Sequence, residues 1–147
     1  MKITLFFVLL CGVLWLKEIK TEEDPNEGKI QMLEQMTEPC FEKDGSTRED
    51  FNYMVRKRNL PSTKPQKCLS ACMHENFETI KDGKFNRESF EGMMKSVAND
   101  EKKYPIIEDI GATCEKIVDA DRCELAGKLV TCYKEVAAKH GIDYHNL

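Results

Sequence analysis

The sequence predicts an all-α fold of about six helices without a convincing strand, and three observations support this. Apolar residues recur every three or four positions along most of the chain, which places them on one face of a helix. Residues that commonly occupy helix N-caps precede several of these stretches. The linkers between them are only a few residues long, as expected for neighbouring helices that pack compactly.

The N-terminus has the pattern of a secretory signal peptide. Met1 and Lys2 are followed by a largely apolar run over residues 3–16. A membrane-spanning helix needs roughly 20 apolar residues, so a retained signal anchor is the weaker alternative. We assign residues 1–21 to a signal peptide, with its cleavage site open, and expect a secreted, extracellular protein without stable membrane insertion.

Removal of the signal peptide changes both the net charge and the cysteine count. The chain has 22 basic and 26 acidic residues, and the first 21 residues contain three lysines and one glutamate, which leaves 19 and 25, a net charge near −6. Such an acidic protein is a poor partner for nucleic acid or an anionic membrane. Cys11 also leaves with the signal, so six cysteines remain and predict three disulfides. We interpret residues 22–147 as one helical domain with a short tail over residues 141–147.

The first two predicted helices have narrow apolar faces. Asp24 and Pro25 suit a helix start, and Pro39 should stop or kink the helix. Residues 46–49 read Ser-Thr-Arg-Glu, a capping box with Ser46 as the N-cap of the second helix. The apolar residues are Ile30, Leu33 and Met36 in the first helix and Phe51, Met54 and Val55 in the second.

The next two helices are predicted over residues 65–81 and 86–98. Ser62 or Thr63 can cap the first of them, and the turn at residues 82–84 is interpreted as its end. The apolar residues are Cys68, Leu69, Cys72, Met73, Phe77 and Ile80, followed by Phe90, Met93, Met94 and Val97.

The last two helices are predicted over residues 105–119 and from Asp121 to about Lys139. Their apolar residues recur with a helical period, and Asp121 with Glu124 resembles a second capping box. Basic residues followed by Gly141 suit the end of the last helix. The apolar residues are Ile106, Ile107, Ile110, Cys114, Ile117 and Val118, followed by Leu125, Ala126, Leu129, Val130, Cys132, Tyr133, Val136 and Ala137.

Cys68 and Cys72 lie one helical turn apart in the third predicted helix. Both side chains therefore project from the same face, which disfavours a direct bond between them. Each must find a partner elsewhere, and the number of cysteines alone leaves fifteen pairings open.

The order of the cysteines resembles a known family. The six are Cys40, Cys68, Cys72, Cys114, Cys123 and Cys132, separated by 27, 3, 41, 8 and 8 residues. In an all-helical chain with a signal peptide, this order resembles the insect odorant-binding and pheromone-binding proteins of the six-cysteine type. The resemblance covers essentially all of residues 22–147. It implies six helices around a hydrophobic cavity and three interlocked disulfides, Cys40 with Cys72, Cys68 with Cys123 and Cys114 with Cys132.

The resemblance also implies a function. It indicates a secreted carrier that binds small hydrophobic ligands, such as odorants, pheromones or lipid-like molecules, in an internal cavity. The alternative is a secreted non-olfactory interaction protein of saliva, venom or reproductive fluid on the same scaffold. A membrane chemoreceptor is a candidate partner, and the protein is expected to be a monomer or weak homodimer. The residues expected to line the cavity are Met54, Phe90, Met94, Ile110, Leu129 and Tyr133.

No enzyme, cofactor or metal site is predicted. His74-Glu75 begins like a zinc-protease helix, but residue 78 is Glu where the second His would stand. No Gly-x-Ser-x-Gly motif occurs, and cysteines of an exported protein are expected in disulfides, not in a zinc site. We interpret His74, His140 and His145 as solvated surface residues, and the alternative is that protonation of His145 weakens a lid formed by residues 142–147. The Tyr133 hydroxyl is expected to bond either to backbone or to a polar ligand head.

Overall fold

The computed structural model describes residues 27–147, and six α-helices contain most of them. The predicted signal peptide over residues 1–21 and the predicted helix start at Asp24 lie outside the described residues. The all-α prediction with about six helices is confirmed. Within residues 27–147, no helix combines the length and apolarity needed to span a membrane. The helices are α1 (Glu27–Thr37), α2 (Arg48–Phe51), α3 (Lys64–Asn76), α4 (Arg87–Val97), α5 (Tyr104–Cys114) and α6 (Arg122–Lys139).

Short helical turns join or extend these helices. A π-helical turn over Asn52–Arg56 continues α2. The 3-10 turns comprise Glu38–Cys40, Lys43–Gly45, Glu101–Lys103 and Tyr144–Asn146. The first of them contains Pro39, so α1 ends where the proline was expected to stop it.

The end of α3 differs from the prediction, which extended this helix to residue 81. The helix ends at Asn76 because Glu78 adopts a left-handed conformation with φ 56°. The amides of Glu78 and Thr79 donate to the carbonyls of Glu75 and His74, the two bonds of a Schellman motif. A glutamate gives little sequence signal for this position, which glycine usually occupies.

A two-stranded antiparallel hairpin follows, although the sequence was expected to contain no strand. Strands β1 (Ile80–Lys81) and β2 (Lys84–Phe85) pair across a two-residue loop of Asp82 and Gly83. Both loop residues have positive φ, 51° and 71°, as a type I′ hairpin turn requires. Asp-Gly is therefore a hairpin turn here and not the stop of the preceding helix.

The observed N-cap residues agree with the predicted ones for two helices, and the N-cap of a third helix lies one residue later than predicted. Thr63 caps α3 in a box with Gln66, and Asp121 caps α6 by accepting from the amides of Cys123 and Glu124. The N-cap of α2 is Thr47 and not Ser46. Ser46 is buried, and its hydroxyl lies 3.0 Å from the carbonyl oxygen of Cys40.

Helix α5 is shorter than the predicted helix over residues 105–119. It ends at Cys114, and the chain turns before α6. In this turn the amide of Asp121 donates to the Asp119 carboxylate, an Asx-type turn. Val118 is 78% exposed, so its predicted place on an apolar face is wrong.

Two apolar clusters form the interior. Helices α3 and α6 pack extensively against each other, and α5 packs on both α4 and α6. The main cluster comprises Ala71, Ile80, Phe90, Met94, Ile107, Ile110, Cys114, Leu125, Ala126, Leu129, Tyr133, Val136 and Ala137. The second comprises Cys40, Phe51, Met54, Leu69 and Cys72, with Ile30 and Leu33 of α1 packed against it.

Three disulfides connect the helices with the predicted interlocked pairing. Cys40 bonds to Cys72, Cys68 to Cys123 and Cys114 to Cys132, over sequence separations of 32, 55 and 18 residues. Cys68 and Cys72 thus join α3 both to the segment after α1 and to the first turn of α6.

Candidate ligand-binding site

A cavity of about 790 Å³ opens among α1, α3, α4, α6 and the C-terminal tail. Its lining draws on both apolar clusters and consists mainly of methionine, aromatic and aliphatic side chains. The lining residues are Lys29, Met32, Leu33, Met36, Met73, His74, Phe77, Thr79, Phe90, Met93, Ser96, Val97, Asn99, Lys103, Tyr133, Tyr144, His145, Asn146 and Leu147.

Helix α1 forms the most exposed wall of this cavity. Met32 and Met36 are 57% and 47% exposed, although both also line the cavity. Arg56, in the π turn after α2, connects α1 to the body through ion pairs with Glu27 and Glu34 at 2.8 and 2.9 Å. Exposed ion pairs usually contribute little, and the packing of Ile30 and Leu33 against the second cluster also holds α1.

The C-terminal tail forms another part of the cavity wall. Tyr144 and Leu147 pack against the main cluster. The Nζ atom of Lys103 donates to the carbonyl oxygen of Asn146 at 2.5 Å, which ties the tail to the turn before α5. Burial raises the pKa of Tyr144 to about 12, so its hydroxyl stays protonated at physiological pH.

Aromatic rings surround Tyr133 in the cavity wall. Its ring stacks on Phe90 with centroids 4.7 Å apart and lies 5.7 to 6.0 Å from three further rings, those of Phe85, His74 and Tyr144. Tyr133 is 1% exposed, and its hydroxyl has no hydrogen-bond partner within residues 27–147. Burial also raises the pKa of Tyr133 well above its ordinary value. The hydroxyl is therefore a donor without an acceptor.

His74 lies in the same wall, so its interpretation as a solvated surface residue is wrong. Its Nδ1 lies 2.7 Å from the carbonyl oxygen of Ser70, one turn earlier in α3. Since a carbonyl only accepts, Nδ1 carries a proton and the neutral ring keeps an acceptor at Nε2. Burial lowers the pKa of His74, and the bond to Ser70 opposes that effect.

The other two histidines differ in their surroundings. His145 lies half-buried in the cavity lining, where burial lowers its pKa. His140 is exposed as predicted and lies 2.7 Å from the Asp109 carboxylate, outside the lining.

The charged groups of the lining are cationic. Lys29 and Lys103 line the cavity, and no Asp or Glu does so within the described part of the chain. The same residues contain no group of three or more His, Cys, Asp or Glu side chains placed to hold a metal ion. The site therefore offers apolar contact, isolated hydrogen-bonding groups and two lysines.

Two of the six residues predicted from sequence to line a cavity do so. Phe90 and Tyr133 stack on each other in its wall. Met94, Ile110 and Leu129 are buried in the main cluster, and Met54 is buried in the second. Helix spacing identifies these four as inward-facing, but inward-facing residues fill the interior as well as line a cavity.

The sequence reasoning missed most of the actual lining. Met36, Met73 and Met93 lie on predicted apolar stripes, which was their only signal in the sequence, and Met32 lies outside the stripe predicted for its helix. Val97 was expected to face inward, and it is 49% exposed at the rim of the cavity. Helix periodicity does not indicate the tail residues, whose position depends on tertiary contacts such as that of Tyr144 with Tyr133.

Comparison with known proteins agrees with this architecture. The chain is 35% identical over 122 residues to general odorant-binding protein 28a of Drosophila melanogaster. The aligned region covers 81% of this chain and 84% of that protein. The solved structure of Drosophila melanogaster odorant-binding protein dmelOBP28a matches with a TM-score of 0.68 and 33% identity, covering 80% of this chain and 98% of that one.

Two more distant solved structures share the fold. One is the fatty acid binding protein OBP56a from the oral disk of the blowfly Phormia regina, with a TM-score of 0.61, 18% identity and coverage of 80% of this chain and 98% of that one. The other is Apis mellifera odorant binding protein 5, with a TM-score of 0.60, 19% identity and coverage of 80% and 93%. The model of the PBP/GOBP family matches residues 22–136. With its six helices and three disulfides, the chain belongs to the PBP/GOBP family.

Proposed function

We propose that this protein is a secreted carrier that holds one small hydrophobic molecule in the cavity among α1, α3, α4, α6 and the tail. The observation that supports this most directly is the cavity itself. Its volume of about 790 Å³ lies within the range of about 300 to 1,000 Å³ typical of small-molecule sites. Its lining of methionine and aromatic side chains suits apolar ligands of varied shape.

The ligand class we propose comprises odorants, pheromones or lipid-like molecules. Membership of a family with odorant-binding relatives supports this class. The role is transport without chemical change. Secretion agrees with three disulfides, which persist in oxidising compartments.

The test is uptake of a fluorescent apolar dye, such as N-phenylnaphthylamine, by protein recovered from the medium of insect cells expressing the full sequence. We expect the dye to bind at one site per chain and to be displaced by small apolar molecules. The dye is needed because the sole tryptophan is Trp15, which lies in the predicted signal peptide.

The control is the same protein after reduction of its disulfides, which should lose dye binding together with its helical circular dichroism. Oxidised, helical protein that takes up no dye and no apolar ligand would contradict the carrier function. It would favour the alternative of a secreted interaction protein on this scaffold. Retention of the protein inside the cells would contradict secretion.

A further inference from the structure

We propose that the Tyr133 hydroxyl anchors the ligand, so that the cavity selects uncharged molecules carrying an oxygen that accepts a hydrogen bond. This inference rests on the proposed carrier function and names the chemical class of its ligand. It also assigns a specific role to one side chain in a lining that is otherwise mainly apolar.

The first argument is that the Tyr133 hydroxyl lacks an acceptor. Its oxygen is buried and has no hydrogen-bond partner within the described residues, in a side chain that is 1% exposed. The great majority of buried hydroxyls in proteins have a partner, because leaving one unpaired costs about 1 to 3 kcal/mol. Tyr133 lines the cavity, so a ligand oxygen that packs against this residue and reaches its hydroxyl would complete the bond.

The second argument is that the surroundings of Tyr133 are uncharged. The rings that contact it belong to Phe85, Phe90, His74 and Tyr144. The Nδ1 atom of His74 donates to the Ser70 carbonyl oxygen. The ring therefore carries no charge as long as its Nε2 atom is unprotonated. A carboxylate at this position would lose its hydration without gaining a cation from these rings, and such burial is strongly unfavourable.

The third argument concerns the two lysines of the lining, which are the natural partners of an anionic ligand. Lys29 is exposed on α1, and Lys103 already donates to the Asn146 carbonyl. Neither forms a cation–π contact with the Tyr133 ring in the described structure. A carboxylate bound by these lysines would use a different anchor, so the two possibilities predict different responses to mutation of Tyr133.

The experiment measures displacement of N-phenylnaphthylamine by three ligands with the same carbon chain, decane, decanol and decanoate, at neutral pH. The wild type is compared with Tyr133→Phe, which removes the hydroxyl and keeps the ring. We expect the affinity for decanol to fall about three- to tenfold, the equivalent of one neutral hydrogen bond. The affinity for decane should stay the same or rise slightly, and the wild type should bind decanoate more weakly than decanol.

Tyr53→Phe is the matched control. Tyr53 is half-buried against the second cluster and does not line the cavity, so its hydroxyl should not affect any of the three affinities. Tyr133→Met is a second variant without the hydroxyl, because the flexible methionine side chain adapts to irregular space if phenylalanine packs poorly. Circular dichroism of each variant reports whether it folds.

Three results would overturn the anchor. A parallel loss of decane and decanol binding would show that Tyr133 acts only through packing, and an unchanged affinity for decanol would show that its hydroxyl is not used. Tighter binding of decanoate than of decanol would contradict the uncharged class and favour the lysines. If the folded wild type binds neither the dye nor any of the three ligands, the carrier function itself fails.

Discussion

At the scale of single residues, the cavity wall contains groups whose protonation the fold controls. Burial lowers the pKa of His74 and of His145 and raises those of Tyr133 and Tyr144. In each case the low-dielectric surroundings disfavour the charged form. The fold therefore favours the neutral forms of these four side chains, which suits the binding of apolar molecules.

This neutrality predicts how stability depends on pH. Unfolded histidine has a pKa near 6.5, and His74 has a lower value in the fold, so below about pH 6.5 the unfolded state binds more protons than the native state. The contribution of His74 to stability is complete above that pH. It is lost progressively as the pH falls from 6.5 toward the lowered value. Urea unfolding between about pH 7.5 and 5 should therefore show a falling free energy of unfolding.

The variant His74→Asn should reduce this loss, because Asn can donate to the Ser70 carbonyl without titrating. His145 contributes with the same sign, so the free energy of unfolding of the double variant with His145→Asn should depend even less on pH. A pH dependence of wild-type stability that neither substitution changes would show that these histidines are not desolvated in the fold.

At the scale of helices, two glycines in helix interiors have opposite surroundings. Gly127 of α6 faces the side chain of Lys67 on α3, where an added Cβ would lie 3.1 Å from the Lys67 Cγ. Lys67 is held in place by its ion pair with Glu124 at 3.0 Å. Gly92 of α4 is exposed, and nothing lies within 4 Å of an added Cβ.

Alanine at these two positions should therefore have different effects. Gly92→Ala should raise the free energy of unfolding by about 0.5 to 1 kcal/mol, the gain in helix propensity. Gly127→Ala should show a smaller gain or none, because the new methyl group displaces Lys67. In a Lys67→Ala background the gain at Gly127 should reappear. Equal effects of the two single substitutions in urea unfolding would contradict a close approach of α3 and α6 at Gly127.

At the scale of the whole molecule, the disulfides link some elements of the fold covalently and leave others without a covalent link. Helix α3 is linked through Cys72 to Cys40 and through Cys68 to Cys123, and α5 is linked to α6 by Cys114 and Cys132. Of the helices that line the cavity, α3 and α6 are thus covalently joined. Within the described residues, the other lining elements, α1, α4 and the tail, contain no disulfide-bonded cysteine.

Removal of a single disulfide should lower the free energy of unfolding more when that disulfide closes a longer loop of chain. In the chain-entropy model the double variant Cys68→Ala/Cys123→Ala should lose about 4 kcal/mol and Cys114→Ala/Cys132→Ala about 3 kcal/mol. Urea unfolding of both variants against the oxidised wild type measures the difference. A larger loss for the shorter loop would show that local packing and not chain entropy dominates.

Helical periodicity was enough to predict most of the helices, because it depends on local spacing along the chain. The disulfide pairing joins residues 18 to 55 positions apart, and it came from the family resemblance. Local signals were insufficient at Glu78, where a non-glycine residue ends α3, and at Asp82-Gly83, where a hairpin turn resembles a helix stop. Ser46 and Thr47 show the same limit at a cap, since burial of Ser46 decides between two adjacent candidates.

The sequence by itself determined about six helices with apolar faces, and six cysteines after the predicted signal peptide for three disulfides. Only the tertiary structure decided which apolar residues surround empty space. Met94 and Tyr133 both face inward, yet Met94 fills the main cluster, whereas Tyr133 lines the cavity and its hydroxyl has no partner among residues 27–147. The physical reason is that a cavity arises where helices and tail fail to meet, which depends on how the elements pack and not on the periodicity within any one of them.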